Sequence, residues 1–116
     1  MREALLILLC LSASLNCNAS DSGKFYQVFD VTCREYLRDR SSDATTLPHV
    51  AWISGYISAF NRQTADTYDI AGGRTPNQFA PWMDRWCQAN PEKPLSKAME
   101  VLTTELWAAR VRARRK

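Results

Sequence analysis

Of the four cysteines in this 116-residue chain, Cys10 and Cys17 fall in the first 19 residues, which read as a cleaved signal, and this leaves Cys33 and Cys87 as the pair able to constrain a fold. Each sits in a helix-like local pattern, Thr32-Cys33-Arg34-Glu35-Tyr36-Leu37 and Trp86-Cys87-Gln88-Ala89-Asn90-Pro91. A disulfide between them closes a loop of about 55 residues, for which chain entropy predicts roughly 4 kcal/mol of stabilisation. That is a large share of the stability of a small domain.

The N-terminus supplies the compartment such a bond needs. Met1-Arg2 is followed by the apolar run Ala4-Leu5-Leu6-Ile7-Leu8-Leu9-Cys10-Leu11, and Cys17-Asn18-Ala19 ends in the small residue a signal peptidase reads. The apolar run is shorter than the roughly 20 residues that span a bilayer as a helix. The expectation is a secretory signal over residues 1–19 and a single exported domain over residues 20–116, with no integral membrane segment after cleavage. Two cysteines left in an oxidising compartment are most simply a structural disulfide. The redox pattern Cys-x-x-Cys is absent, and His49 is the only histidine, too few ligands for zinc.

Cleavage removes Arg2 and Glu3, leaving 14 basic and 11 acidic residues, a net charge of +3. Arg110, Arg112, Arg114, Arg115 and Lys116 carry five of the positive charges, so the remainder of the mature chain is close to −2. Charge therefore gives no support to a global nucleic-acid or membrane role.

Helical signals fill most of the chain. Phe25-Tyr26-Gln27-Val28-Phe29-Asp30-Val31 fits either a short extended arm or a helical turn. Thr32 with Glu35 three residues on is a capping box that starts a first helix at Cys33, ending near Arg40. Residues 41–46 are polar and turn-rich, and Leu47-Pro48 then opens a second helix, proline being tolerated in a first turn. In that helix Trp52, Ile53, Tyr56, Ile57 and Phe60 recur at spacings of three and four, the stripe expected of the domain's core. Gly55 within it implies either close approach of a neighbouring helix or simple tolerance.

Residues 61–74 have no period and form the longest irregular stretch. Thr75-Pro76-Asn77-Gln78 repeats the start signal, and Phe79, Trp82, Met83, Trp86 and Cys87 follow on one helical face, with Pro81 marking the true beginning or a tight first turn. Asn90-Pro91 stops this helix, and Pro94 opens a last one whose Leu95, Ala98, Met99, Leu102, Leu106 and Ala109 form one apolar face, running on into an Arg-rich end that frays. The fold class expected is all-α, four helices around one core, stapled once.

No constellation nominates an active site. His49 stands alone beside a proline at a helix start, where a surface or capping role is expected. Asp66 and Asp69 lack the regular oxygen spacing of a calcium loop and are expected in a solvated turn. Gly72-Gly73 lacks the preceding strand and following lysine of a phosphate loop. No enzyme activity, metal or cofactor is expected. Phe79, Trp82 and Trp86 fit an aromatic platform or, more simply, core packing, and the basic tail is expected to be a solvated end that complements its helix dipole.

Two segments resemble the HdeA/HdeB family of periplasmic acid-stress chaperones. Thr32-Cys33-Arg34-Glu35-Tyr36-Leu37 is similar to the entry to that family's first helix, and Cys87-Gln88-Ala89-Asn90-Pro91-Glu92-Lys93-Pro94-Leu95 to its second cysteine and the step that follows. The resemblance implies an all-helical periplasmic protein with one disulfide, often a homodimer, that partly unfolds in acid and shields unfolded clients. Trp52, Tyr56, Ile57, Trp82 and Trp86 would be its client contacts. At about pH 2, protonating the carboxylates and His49 would raise the charge to roughly +15, opposing the compact state. A second resemblance, to Tai-type immunity proteins that block effector amidases, rests on Gly55-Tyr56-Ile57 and on a cysteine ahead of an Asn-Pro step. It implies one effector as partner, contacted through residues 61–74, with Tyr68 and Asp69 as candidate contacts.

Overall fold

A computed structural model describes residues 28–114; the expected signal segment, residues 20–27 and the last two residues lie outside the described residues. Four helices follow in order: α1 (Cys33–Asp39), α2 (Asp43–Gln63), α3 (Ala80–Ala89) and α4 (Leu95–Leu106). A 3-10 turn, Pro76–Phe79, leads into α3, and another, Trp107–Ala109, ends α4. No strand occurs among the described residues. Two isolated bridges, Thr32 with Pro94 and Asp69 with Val111, tie distant parts of the chain. The all-α reading is correct, and so is the single disulfide, Cys33 to Cys87.

Helix α1 has only seven residues, well short of the roughly 12–15 that an isolated helix needs. Its own sequence gives it the capping box: the Glu35 carboxylate accepts from the Thr32 amide at 2.8 Å while the Thr32 hydroxyl accepts from the Glu35 amide at 3.3 Å. The remaining support is tertiary. The Cys33 and Arg34 amides donate to the carbonyls of Lys93 and Pro91 at 2.8 and 2.9 Å, so the turn after α3 satisfies the first turn of α1. At the other end, the Arg40 guanidinium grips the Asp84 carboxylate through Nε at 3.0 Å and Nη2 at 3.1 Å. With the disulfide, these contacts fix α1 antiparallel to α3.

Helix α4 begins at Pro94, which offers no side-chain cap. Asp30 substitutes from the far end of the chain, accepting from the Ser96 amide at 3.2 Å and the Ser96 hydroxyl at 2.8 Å, while the Leu95 amide donates to the Val31 carbonyl at 2.8 Å. The segment before α1 is therefore an extended arm after a turn at Val28-Phe29, and it caps the last helix.

The core centres on α3, α4 and the cystine. Met83, Cys87, Leu95, Ala98 and Met99 are fully buried, joined by Tyr36, Ile53, Phe79 and Leu102. Each such aliphatic side chain contributes about 1.5–3 kcal/mol through burial. The long helix α2 instead covers this core from one side, burying only His49 and Ile53 and resting Trp52, Tyr56 and Ile57 on it half-exposed. The stripe on α2 was expected at the centre; it sits at the margin because α4 presents an uninterrupted apolar face that α3 and the cystine already cover.

Both ends of α2 differ from expectation. Ser42 caps α2, its hydroxyl accepting from the Thr45 amide at 3.3 Å, so the helix starts at Asp43 inside the stretch expected to be loop. Pro48 lies within the helix, where its missing N–H costs one bond, that to the carbonyl of Ala44. The helix also continues to Gln63. His49 is not a surface residue: it is 2% exposed, with Nε2 2.9 Å from Oδ2 of Asp39 and the rings of Phe29 and Tyr36 at centroid distances of 5.5 Å.

Gly55 faces open space, since a Cβ added there meets nothing within 4 Å. Tolerance, not helix contact, explains it. Gly55→Ala should therefore stabilise the protein by about 1 kcal/mol through helix propensity alone, read as a higher urea midpoint at unchanged m-value.

Candidate functional site

The residues singled out from sequence separate into three places. Trp52 and Tyr56 form a tilted pair on α2 with ring centroids 5.6 Å apart, and Trp82 and Trp86 stack on α3 at 6.3 Å. Tyr56 meets α4 beside Glu100 and Thr103, and Trp82 donates its indole N–H to the Glu105 carboxylate at 2.9 Å. At 3.6 residues per turn, Glu105 lies roughly 140° around α4 from Glu100 and about 200° from Thr103, so the two aromatic pairs flank α4 on different sides. Both pairs, and Ile57 with them, keep one face on the core. Burial pushes the Tyr56 phenol up, with the charge of Glu100 adding to the effect and the Thr103 hydroxyl opposing it.

Tyr68 and Asp69 belong to the third place, the 64–74 loop. This segment is not a loose, solvated turn. The Asp69 carboxylate accepts from the Ala71 amide at 2.9 Å and the Gly73 amide at 2.6 Å, with the Asn61 side-chain amide at 3.4 Å. Asn61, at the last turn of α2, accepts in return from the Ile70 amide at 2.8 Å. Ile70 and Ala71 are buried beneath the loop, at 1% and 3% exposure. Gly72 and Gly73 take φ of 63° and 85°, the left-handed region that glycine enters without a Cβ penalty. Asp69 is thus engaged within the loop and shapes it, while Tyr68, 52% exposed, stands outward.

The C-terminal segment completes the unit. Beyond the 3-10 turn at Trp107–Ala109 the chain turns back instead of fraying as helix. The Val111 amide donates to the Asp69 carbonyl at 2.9 Å, and the Val111 carbonyl accepts from the amides of Tyr68 and Asp69 at 2.8 and 3.0 Å. The Arg110 guanidinium lies 3.7 Å from the Trp107 ring centroid, its side chain only 5% exposed, and donates from Nε to the Asp66 carbonyl at 3.2 Å. Arg112 adds an ion pair to the Asp66 carboxylate at 3.1 Å. The basic tail was expected to be solvated; through Arg110 and Val111 it is instead a brace for the loop, because a cation–π contact and three backbone hydrogen bonds together outweigh hydration of one guanidinium.

Loop and tail leave between them a depression of about 310 Å³ lined by Tyr68, Asp69, Gly72, Gly73, Val111 and Arg114. Asn61 and Val111 were not singled out from sequence, and Arg110 only as one charge of the basic end. Their partners lie 8 to 44 residues away, and neither periodicity nor a local motif marks such pairs. No group of three or more metal-ligating side chains occurs among the described residues. No helix among them is long and apolar enough to cross a membrane.

Removing either polar anchor should loosen the loop selectively. Asn61→Ala and Asp69→Ala should each cost about 1–3 kcal/mol, by leaving amides over a buried Ile70 unpaired. The double variant should cost clearly less than the sum, because the two act on one network. Urea denaturation of the four proteins measures the coupling, and amide exchange at Ile70, Ala71 and Gly73 locates it. Compared with known proteins, the chain matches no family model, no curated protein and no solved structure.

Proposed function

We propose that this protein is an exported, non-enzymatic binding module that engages one protein partner through the 64–74 loop and the returning tail, as an immunity-type inhibitor does its effector. One observation carries the reading: the loop is held from three sides, by Asn61 and Asp69, by buried Ile70 and by the Arg110–Val111 brace, yet it presents Tyr68 half-exposed to solvent. A rigid surface loop with an outward tyrosine loses little conformational entropy on binding, and tyrosine is enriched among residues that dominate interface energies. The disulfide suits an oxidising compartment such as the periplasm. Immobilised mature protein should retain a stoichiometric partner from a periplasmic extract at neutral pH. Tyr68→Ala should weaken retention at least tenfold with the helical circular dichroism unchanged. Retention that is indifferent to Tyr68→Ala, or no stoichiometric partner at all, removes this reading.

A second reading, the acid-activated holdase, is supported by a different observation. Trp52, Tyr56, Ile57, Trp82 and Trp86 all keep one face on the core, so partial unfolding would offer them to clients while the cystine limits expansion. Two carboxylates on α1 make that helix acid-sensitive. The Thr32 amide and hydroxyl hold the Glu35 carboxyl below the ordinary range, and hydrogen bonds from His49 and Arg38 do the same for Asp39. Carboxyls with lowered folded-state values stabilise the fold at neutral pH, and that stability is lost as pH falls through the lowered values, below about pH 4. Stability should therefore be flat from pH 7 to about 5 and decline below about 4, with a shallower decline in Glu35→Gln, followed by urea denaturation at each pH. Light scattering of an aggregation-prone client at pH 2–3 then decides the activity. No suppression at several-fold molar excess removes the holdase.

A further inference from the structure

The charge around the loop and tail is unevenly compensated. The carboxylate of Asp69 is taken up by the amides of Ala71 and Gly73, and that of Asp66 by Arg110 and Arg112. The ion pairs among the described residues leave Arg74 and Arg114 without a carboxylate. Arg114 lines the depression directly. Arg74 does not line it but is exposed next to it: anchored by its Nε–H to the Ala71 carbonyl and lying over the Phe79 ring, it has a guanidinium nitrogen 4.0 Å from the position a Cβ would take on Gly72, which is a lining residue. Tyr68, half-exposed, and Val111 line the depression together with Arg114.

We propose that this depression receives an acidic, extended segment of the partner protein, with carboxylates meeting Arg74 and Arg114 and one aromatic or aliphatic side chain lying against Tyr68 and Val111. The inference rests on the partner-binding reading and adds its chemistry. Guanidinium groups pair with carboxylates through paired N–H donors, and steering by uncompensated charge speeds encounter with an acidic surface. Gly72 and Gly73 carry no side chain on that wall, so a partner backbone can come close. A nucleic acid is the poorer fit. It needs a basic track over several phosphates, whereas among the described residues of this loop and tail two arginines, Arg74 and Arg114, lack a carboxylate partner.

The experiment is an amide chemical-shift titration of the 15N-labelled mature protein at low ionic strength. The probe is the blocked peptide Glu-Glu-Phe-Glu-Glu, with Lys-Lys-Phe-Lys-Lys as its counterpart. Saturable shifts should be confined to Tyr68, Gly72, Gly73, Val111 and Arg114, should be absent with the lysine peptide, and should weaken at least tenfold in Arg74→Glu/Arg114→Glu. That variant leaves Arg110, Arg112 and Asp66 untouched, and its circular dichroism reports that the fold is kept. Unchanged binding by the variant, equal binding of the lysine peptide, or shifts centred elsewhere overturns the proposal. So does a response of these amides to phosphatidylglycerol vesicles or to a DNA duplex but not to the acidic peptide. Partner retention lost in Tyr68→Ala, with no response to the acidic peptide, overturns the acidic-segment assignment alone; retention unaffected by Tyr68→Ala removes the reading beneath it.

Discussion

A seven-residue helix cannot hold itself in water, and the fold depends on how α1 is held against α3. Covalent and polar attachments divide that task along its length. The cystine joins its first residue to the end of α3, the turn after α3 satisfies its first amides, and Arg40 closes its far end on Asp84. Because the same turn leads directly into α4, fixing α1 also fixes where α4 begins. Asp30 and Val31, just ahead of α1, are thereby delivered to the open N-terminus of α4, which has no cap of its own. The two N-termini thus stabilise one another across the chain, around a core whose centre is the cystine itself.

The opposite end of the molecule is organised by polar groups in place of a crosslink. Asn61 leaves α2, Asp69 gathers the loop amides, and Val111 returns to pair with the loop backbone. Burial of Ile70 makes these bonds consequential, since amides over a buried side chain cannot be satisfied by water at low cost. The outcome is a rigid exposed element whose acidic groups are internally engaged and whose tyrosine and two arginines face outward. Binding modules commonly carry recognition on loops held by a rigid scaffold, and this element has that form.

Much of the helical framework was legible in the sequence because helices are announced locally. The Thr32–Glu35 capping box, the prolines opening the later helices, the Asn90-Pro91 stop and the apolar face of α4 each act within a few residues, and each appears where expected. The loop and tail were not legible, since Asn61 pairs with residues 8 and 9 positions away and Arg110 with one 44 away, with no period to reveal them. His49 misled for a related reason: proline before it suggested a helix start, whereas Ser42 had already opened the helix and placed that imidazole under Phe29 and Tyr36.

The amino-acid sequence by itself determined the all-helical class, the pairing of Cys33 with Cys87 and most helix termini, because propensity, capping and cysteine number are properties of short segments or of the whole composition. Only the tertiary structure decided that α2 covers the core instead of forming it, that Asp30 caps a helix 66 positions later, and that an Arg-rich end folds back to brace a loop. Those outcomes turn on which apolar face is already covered and which buried amide still lacks a partner. Both are fixed only when the chain has closed on itself.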